Sequence, residues 1–308
     1  GNVATNAGGL RVLRYGDTRR QLAGIELVTG TGDVITDLSG TLRNNTGYHL
    51  PSLVCGSEGT LGVITRATLR LGAIFTHRAT ALLRFDDETA AASAAESLRR
   101  HLPAAESIEL FFAPGLRLVC DAFALAPPFT TVDGGYVLVE AADTSDPTDQ
   151  LATAVGALDG VSDVAVATDD ARRRDLWRFR ELHTDAISRA GIPHKLDVAV
   201  PPGSVGAFLA AVGPAITAVA SDARVFNFGH AGEAAIHVNV IGPSPDDYAV
   251  DDAVLRLVGE FGGSISAEHG IGRAKRASLH YGESELALRR GIKAAFDPHR
   301  IMNPGVLS

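Results

Sequence analysis

The sequence predicts an α+β protein built on an antiparallel sheet that carries helices on one face. A strand–helix–strand order occurs twice, about 55 residues apart, between residues 79 and 167. Short β-rich runs separated by Gly and Asn clusters precede these repeats, and 33 glycines among 308 residues exceed the usual ~7% and indicate many tight turns. Two such repeats are typical of a ferredoxin-like layer and are too few for a solenoid.

Residues 1–73 predict a small β-rich region. The runs 25–28 and 34–36 flank a turn that contains Gly and Thr at 29–33, a pattern typical of a hairpin. Another strand is predicted within 61–71, after the glycine-dense segment 56–62.

The two repeats that follow each consist of a strand, a helix and a strand. In chain order, their predicted elements are 79–85, 87–101, 107–112, 136–140, 147–158 and 161–167.

Beyond the repeats, the pattern predicts three helices and three strands. The helices are 172–189, which Gly191 and Pro193 end, 204–212, which Ser204 caps, and 286–296. One strand covers 195–200, and 224–241 holds two more. The arginine run 172–174 is predicted to be a solvated helix face.

Composition excludes several classes of protein. Lys and Arg total 28 and Asp and Glu total 36, a net charge of −8 that disfavours binding to a nucleic-acid backbone. Two cysteines are too few for an all-cysteine zinc site or a disulfide framework. The longest apolar stretch, 205–220, contains Pro214, so we predict no membrane span. We expect a soluble, cytoplasmic protein without a signal peptide, cut from a longer chain because it begins at Gly1.

His230 and His237 lie in two β-like runs on either side of a tip of small residues. If the segment folds back as a hairpin, the two imidazoles stand opposite each other and can share one ion. Glu268 could supply a third ligand, and two His with one carboxylate is a ligand set of catalytic zinc. The alternative is two half-buried histidines bonded to backbone carbonyls.

Arg180 and Thr184 are four residues apart on the predicted helix 172–189, so they share a face. A guanidinium beside a hydroxyl can bind a carboxylate, and Lys195 could add a second charge. The alternative is a surface salt bridge from Arg180 to Asp185 or Glu181.

The glycine-rich segments 5–9 and 56–62 could bring backbone amides close to a phosphate or a flat ring. Neither matches a dinucleotide fingerprint or a P-loop, and each could be an ordinary turn. Cys55, next to the second segment, is interpreted as a small buried hydrophobe rather than a redox group.

Six motifs occur in order along the chain. They are Thr5-Asn6-Ala7-Gly8-Gly9, Asn44-Asn45-Thr46-Gly47-Tyr48, Gly56-Ser57-Glu58-Gly59-Thr60-Leu61-Gly62, His230 with His237-Val238-Asn239, Ser266-Ala267-Glu268-His269-Gly270-Ile271-Gly272, and Asn303-Pro304-Gly305. Together they resemble the FAD-linked D-2-hydroxyacid dehydrogenases, a family that includes D-lactate dehydrogenase, the glycolate oxidase large subunit and D-2-hydroxyglutarate dehydrogenase. The resemblance covers essentially the whole chain.

The resemblance implies a two-domain flavoprotein. Residues 1–74 would be part of a vanillyl-alcohol-oxidase type FAD-binding domain, 75–270 a ferredoxin-like cap that holds the substrate, and 271–308 a helical segment that returns to the flavin. The implied cofactors are FAD and a divalent metal, with zinc expected.

The resemblance also assigns site residues. It implies a metal held by His230, His237 and Glu268, with His269 as the catalytic base. Substrate would be bound by Arg180, Thr184, Lys195 and Asn239. FAD would be bound by Thr5, Asn6, Gly8, Gly9, Glu58, Gly59, Thr60, Gly62, Ile64 and Asn303.

The implied reaction is metal-assisted oxidation of a D-2-hydroxyacid to the 2-oxoacid, with hydride transfer to flavin. The substrate class would be D-lactate, glycolate or D-2-hydroxyglutarate. Further expected partners are an electron acceptor, whose class the sequence does not identify, and a second copy in a homodimer. Two rival hypotheses are a zinc hydrolase that uses the same three ligands, and a non-catalytic remnant that cannot hold FAD.

Two departures from the family pattern are visible. The phosphate-binding glycine loop that relatives carry upstream of the Asn-Ala-Gly-Gly motif is not in this sequence. The usual Asp-Gly-Asn of the hairpin tip is replaced by Glu233-Ala234-Ala235, so Ala234 is predicted to be strained or the turn rebuilt.

Overall fold

The chain folds as two units, which a computed structural model describes for residues 1–41 and 43–306. Unit 1 combines Gly1–Ala73 with Glu268–Ser308, and unit 2 is the intervening segment Ile74–Ala267. The structure therefore groups residues 268–270 with unit 1, whereas the sequence analysis assigned them to the cap.

Unit 1 begins with short helices around a three-stranded antiparallel sheet of order β2-β1-β3. Its elements are α1 Asn2–Thr5, α2 Val12–Tyr15, α3 Thr18–Gln21, β1 Leu22–Val28, β2 Val34–Asp37, α4 Leu50–Val54 and β3 Val63–Leu69. The predicted hairpin is confirmed, with Leu27 paired to Ile35. Apolar residues of β1 form the core together with Val54, Leu61 and Cys55, which is buried as predicted.

Unit 2 is built on a seven-stranded antiparallel sheet of order β7-β4-β6-β5-β9-β10-β8. Its elements are β4 His77–Phe85, α5 Glu88–His101, β5 Ala105–Phe112, α6 Ala113–Phe123, β6 Gly135–Asp143, α7 Thr148–Gly156, β7 Val161–Ala167, α8 Asp170–Glu181, α9 His183–Ala190, β8 His194–Ala199, α10 Val205–Val219, β9 Arg224–His230, β10 Ala235–Ile241 and α11 Ala249–Glu260. The order β7-β4-β6-β5 is the ferredoxin-like arrangement that the two repeats predict, and β9, β10 and β8 extend it.

The central strands are buried on both faces because helices pack on each side of the sheet, which corrects the expectation of helices on one face only. Strands β4 and β6 are almost wholly buried, whereas the edge strand β7 alternates between half-buried and exposed positions. Helix α5 packs against β5 and β6 through small alanines, and the Asp87 carboxylate accepts a hydrogen bond from the Ala90 amide at its start.

The structure corrects the predicted helix 172–189, which is broken at Leu182. The two resulting helices bury side chains against different partners. Helix α8 packs on the sheet, and α9 packs on α6, a helix that the sequence analysis did not predict.

Helix α10 also differs from its prediction, because it continues past Pro214 to Val219. Buried Val212 and Ile216 extend its packing against α5 and against α11, a second helix not predicted from sequence. The stretch Pro202–Val219 is long and apolar enough to cross a membrane by length and composition alone. Its buried residues follow the helical repeat, as on the packed face of an amphipathic helix, and are Val205, Phe208, Leu209, Val212 and Ile216.

The chain returns to unit 1 and forms α12, Glu283–Phe296, which confirms the predicted helix. Asp297 ends this helix, and its carboxylate accepts hydrogen bonds from the amides of Ile301 and Met302 at 3.0 and 2.9 Å. The Lys293 ammonium donates to the carbonyls of Thr60 and Met302, both at 2.7 Å. These contacts hold the tail next to the Thr60 loop.

Candidate active site

One face of the unit 2 sheet collects the polar side chains of four neighbouring strands. Glu109 of β5 pairs directly with His230 of β9. On β10, His237 pairs with Asp197 of β8, and Asn239 pairs with Lys195. Because directly paired residues, and residues two apart on one strand, point to the same side, these groups share one face.

The two histidines are diagonal neighbours, which corrects the expectation that they stand directly opposite. His230 pairs with Ala235 and His237 pairs with Phe228, because the tip uses a 3₁₀ turn at Ala231–Glu233 followed by Ala234. The Nε2 atoms of His230 and His237 are 3.4 Å apart. The diagonal register therefore still brings the two imidazoles together.

The outer nitrogen of each imidazole faces a buried carboxylate. His230 Nδ1 lies 2.9 and 3.0 Å from the two oxygens of Glu109, and His237 Nδ1 lies 3.6 Å from Asp197 Oδ1. Glu109 is 1% exposed and Asp197 is 2% exposed. The sequence analysis missed both acids, although each interrupts an apolar strand, which is a signal of a buried functional charge.

These residues fit a divalent metal. Two imidazole nitrogens each about 2.0–2.1 Å from a tetrahedral Zn²⁺ would be about 3.3–3.4 Å apart, and the observed separation of the Nε2 atoms of His230 and His237 is 3.4 Å. A carboxylate behind a ligating histidine is the usual support of such a ligand. Glu268 directly follows Ala267, whose amide donates to the Asp197 carbonyl at 3.2 Å.

Arg180 is bound within the protein, although the sequence placed it with substrate. It is 5% exposed, and its Nε donates to Glu109 Oε2 at 2.7 Å. The alternative of a surface salt bridge with Asp185 or Glu181 is wrong, because Arg180 is buried and its ion pair is with Glu109. Burial alone raises the pKa of the Glu109 carboxyl, but the Arg180 guanidinium and then His230 outweigh it and hold that pKa below its usual range.

The other predicted substrate residues differ in exposure. Thr184 lies on α9 and not on the helix of Arg180, and it is exposed. Lys195 is exposed and its Nζ donates to Ser188 Oγ at 3.4 Å. Asn239 is 4% exposed, and its Nδ2 donates to the carbonyls of Phe226 and His237, both at 3.4 Å.

His269 follows Glu268 and is exposed on a loop of unit 1. Glu268 therefore offers a carboxylate, and His269 beside it offers an imidazole that solvent or a ligand can reach.

The predicted FAD residues divide into groove-lining and structural positions. A groove of about 740 Å³ in unit 1 is lined by Gly59, Gly62, Ile64 and Asn303, together with Asn2–Ala4 and residues of β3. Gly59 and Gly62 have φ of +73° and +152°, and a Cβ at Gly62 would lie 2.5 Å from the Val28 carbonyl oxygen. The groove has a volume usual for a cofactor site, and apolar side chains such as Val3 and Ile64 line it beside the two glycines, so this part of the unit fits FAD.

Most of the remaining predicted FAD residues hold the loops together. The Glu58 carboxylate accepts from the amides of Ile271 and Gly272, both at 2.8 Å, and Thr60 Oγ donates to the Ser57 carbonyl. Asn6 donates through Nδ2 to Asp17 at 2.9 Å. Gly8 and Gly9 lie in irregular backbone between α1 and α2, and the Thr5 hydroxyl donates to the Gly1 carbonyl at 3.4 Å.

Comparisons with known proteins bear on the family of the chain. Residues 75–307 match the family described as FAD linked oxidases, C-terminal domain. The D-2-hydroxyglutarate dehydrogenase of Xanthomonas citri pv. viticola is 38% identical over 323 residues, covering 100% of this chain and 67% of the relative. That of Stutzerimonas stutzeri is 34% identical, covering 99% and 68%. The mitochondrial enzyme of Danio rerio is 32% identical, and the chain spans only 58% of its length.

Solved structures support the fold. p-Cresol methylhydroxylase with substrate bound has a TM-score of 0.71 at 16% identity, over 98% of this chain and 67% of that one. 4-Ethylphenol oxidase from Gulosibacter chungangensis, in its isoeugenol complex, has a TM-score of 0.70 at 16% identity, over 99% and 69%. At these identities the likeness shows the vanillyl-alcohol-oxidase type, α+β fold alone. With the family match over most of its length and full-length similarity to these relatives, the chain belongs to the FAD-linked D-2-hydroxyacid dehydrogenase family.

Proposed function

We propose that the protein oxidises a D-2-hydroxyacid to the corresponding 2-oxoacid in an FAD-dependent, metal-assisted reaction, with D-2-hydroxyglutarate as the first substrate to test. The observation that carries the proposal is the pair of facing Nε2 atoms of His230 and His237, 3.4 Å apart. The names of the bacterial relatives support the choice of substrate. The same family membership favours this reaction over zinc-dependent hydrolysis.

Each site residue has a part in this proposal. His230, His237 and Glu268 hold a divalent metal, zinc first, which supplies a Lewis acid for the substrate hydroxyl when bound. FAD, when bound, supplies the hydride acceptor. His269 accepts the hydroxyl proton at an imidazole nitrogen, the general-base role that histidine fills most often.

Substrate carboxylates would be held by the basic side chains. Lys195 offers an exposed ammonium and Thr184 an exposed hydroxyl. Arg180 would contribute through its Nη groups, because its Nε is bound to Glu109. Asn239, paired with Lys195 across the sheet, supplies an amide at the same place. Such a set suits a substrate with two carboxylates, as D-2-hydroxyglutarate has.

Metal analysis tests the proposal. The protein should carry about one divalent metal per chain, and His237→Ala should lose most of it. His101→Ala is the matched control, because His101 is an exposed histidine of α5. Equal metal content in His237→Ala and the wild type would reject the metal site. A protein that carries the metal and has hydrolase activity, but does not oxidise the hydroxyacid, would favour the rival hypothesis of a zinc hydrolase.

The homodimer and the cytoplasmic location stay predictions.

A further inference from the structure

Glu109 binds two residues for which different roles were predicted: Arg180 in substrate binding and His230 in metal binding. Its Oε2 accepts from Arg180 Nε at 2.7 Å, and both of its oxygens lie within 3.0 Å of His230 Nδ1. Ser107 Oγ donates to its Oε1 at 2.9 Å. One carboxylate thus connects a proposed substrate residue with a proposed metal ligand.

Sheet register and helix packing produce this connection. Glu109 and His230 are direct partners across β5 and β9, so their side chains are adjacent on the same face. Helix α8 places Arg180 over that face, where its guanidinium carbon also lies 4.6 Å from the centre of the Phe228 ring. Phe228 in turn packs against His237, with ring centres 5.1 Å apart.

The chemistry of Glu109 decides which nitrogen of His230 carries a proton. An ionised carboxylate only accepts hydrogen bonds, so Nδ1 of His230 must be the donor. The neutral imidazole then has its lone pair on Nε2, the atom that faces His237 Nε2. The orientation and the tautomer of this imidazole are both those that a metal ligand needs.

We infer that Glu109 is a positioning residue that fixes the Nδ1–H tautomer of His230 and the Arg180 guanidinium together, so that one buried carboxylate aligns the metal-binding and carboxylate-binding halves of the site. The inference rests on the proposed function. Glu109 touches neither substrate nor metal, and it acts through the two side chains that do.

Substitution by glutamine tests this role. In Glu109→Gln one of the two donors, Arg180 Nε or His230 Nδ1, must face the new amide NH₂. Loss of such a supporting group lowers metal affinity by about 10–100-fold. Titration of the metal-free protein with Zn²⁺ by calorimetry should therefore show a Kd raised by that factor.

Glu140→Gln is the matched control. Glu140 is also 1% exposed and also accepts from several donors, with Trp177 Nε1 at 2.8 Å and Arg173 Nη1 at 3.1 Å. Its bonded partners do not include either histidine. Its substitution should lower the free energy of unfolding to a similar degree and leave the Kd for Zn²⁺ within about threefold, a margin smaller than the effect of a ligand-supporting group. Equal loss of affinity in both variants, or no loss in either, would overturn the inference.

A second readout does not depend on metal. The ¹H–¹⁵N correlations of the His230 ring should show the proton on Nδ1 in the wild type and a mixture of tautomers in Glu109→Gln. If the wild type binds no Zn²⁺, the metal site of the proposed function fails, while the tautomer still tests Glu109. An Nε2–H tautomer in the wild type, or an unchanged pattern in the variant, would reject the inference. If the glutamine variant does not fold, Glu109→Asp takes its place, because it keeps the charge but shortens the side chain. It should change the Kd for Zn²⁺ and the His230 tautomer in the same direction as Glu109→Gln, but to a smaller extent.

Discussion

Ala234 lies at the tip of the β9–β10 hairpin with φ of 58° and ψ of 29°. The predicted strain at this position is confirmed, since the left-handed conformation costs an L-residue other than glycine roughly 1–2 kcal/mol. Ala234→Gly should relieve this strain and raise the free energy of unfolding by up to ~1 kcal/mol. This net gain already subtracts ~0.4–1 kcal/mol, because glycine makes the unfolded chain more flexible. Urea unfolding measures the difference.

The adjacent substitution Ala235→Gly is the control for Ala234→Gly. Ala235 lies in β10 and is equally buried, so glycine there should be destabilising by roughly 0.5–1 kcal/mol. Equal losses in both variants would show that backbone strain at Ala234 is negligible.

His183 gives the protein a pH dependence of its own. It is fully buried between Phe111 and Phe228, with ring centres 5.2 and 5.1 Å away. Burial, followed by the nearby Arg180 guanidinium, lowers the pKa of His183 from 6.5 to about 3. The unfolded chain therefore binds one more proton than the folded chain between about pH 3 and 6.5, so this residue lowers stability as the pH falls through that window, by up to ~1.4 kcal/mol per pH unit.

His183→Leu should remove this part of the acid sensitivity. The plot of unfolding free energy against pH should become shallower below pH 6.5, and stability at pH 7 should not fall, because the ring nitrogens lack full hydrogen bonds within the described residues. His101→Leu, at an exposed histidine, should leave the slope unchanged. An unchanged slope in His183→Leu would contradict the assignment.

His269 is the residue on which proton transfer depends in the proposed reaction. His269→Asn should lower kcat by roughly 10²–10⁴ when general-base catalysis is lost. Metal content should stay near that of the wild type, which separates a base from a ligand. The measurement is steady-state kinetics with saturating added FAD, together with metal analysis of the same samples. A normal kcat with full metal would reject the role.

At the scale of elements, helix α8 is attached to the sheet by charge as much as by apolar burial. Trp177 Nε1 and Arg173 Nη1 both donate to the buried carboxylate of Glu140. Arg173 therefore contradicts the prediction that residues 172–174 form a solvated face, although Arg172 and Arg174 are exposed. The polar sequence of α8 reflects these bonds.

Trp177→Phe should lower the free energy of unfolding by about 1.5–3 kcal/mol, the range for a lost hydrogen bond to a charged group. Arg172→Ala is the control on the same helix, since its side chain is 78% exposed, and it should stay within about 0.5 kcal/mol of the wild type. Thermal or urea unfolding measures both. Similar values for the two variants would show that the bond to Glu140 contributes little.

Local pattern was enough to predict the two strand–helix–strand repeats and the return of the chain at His230 and His237. These depend on alternation along a strand and on neighbours in sequence. The partnership of Glu109 with His230 depends on which distant strands pair, and the break at Leu182 depends on two packing surfaces that face differently. Neither feature can be predicted from residues nearby in the sequence, so both became visible only in the tertiary structure.

At the scale of the whole molecule, FAD binding depends on how much of the FAD-binding domain the chain includes. The groove of unit 1 offers a wall of glycines and small residues, and the chain spans 67% of the Xanthomonas citri relative. We expect residues 1–308 to bind FAD weakly, because the upstream phosphate-binding loop of the family is not among them. The flavin absorbance that remains after gel filtration measures this.

A chimera that carries the preceding third of the Xanthomonas citri relative is the matched comparison. It should retain about one flavin per chain, whereas residues 1–308 alone should be nearly colourless. Stoichiometric flavin on residues 1–308 alone would contradict the expectation.

Unit 1 consists of two segments of the chain, and about 190 residues of unit 2 lie between them in the sequence. During synthesis, at roughly 5–20 residues per second, the first segment leaves the ribosome about 10–40 s before the second. Residues such as Glu58 and Thr60 lack their partners Ile271, Gly272 and Lys293 throughout that interval. Unit 2 is continuous and can fold in the meantime, so unit 1 is the part of the nascent protein that is completed last.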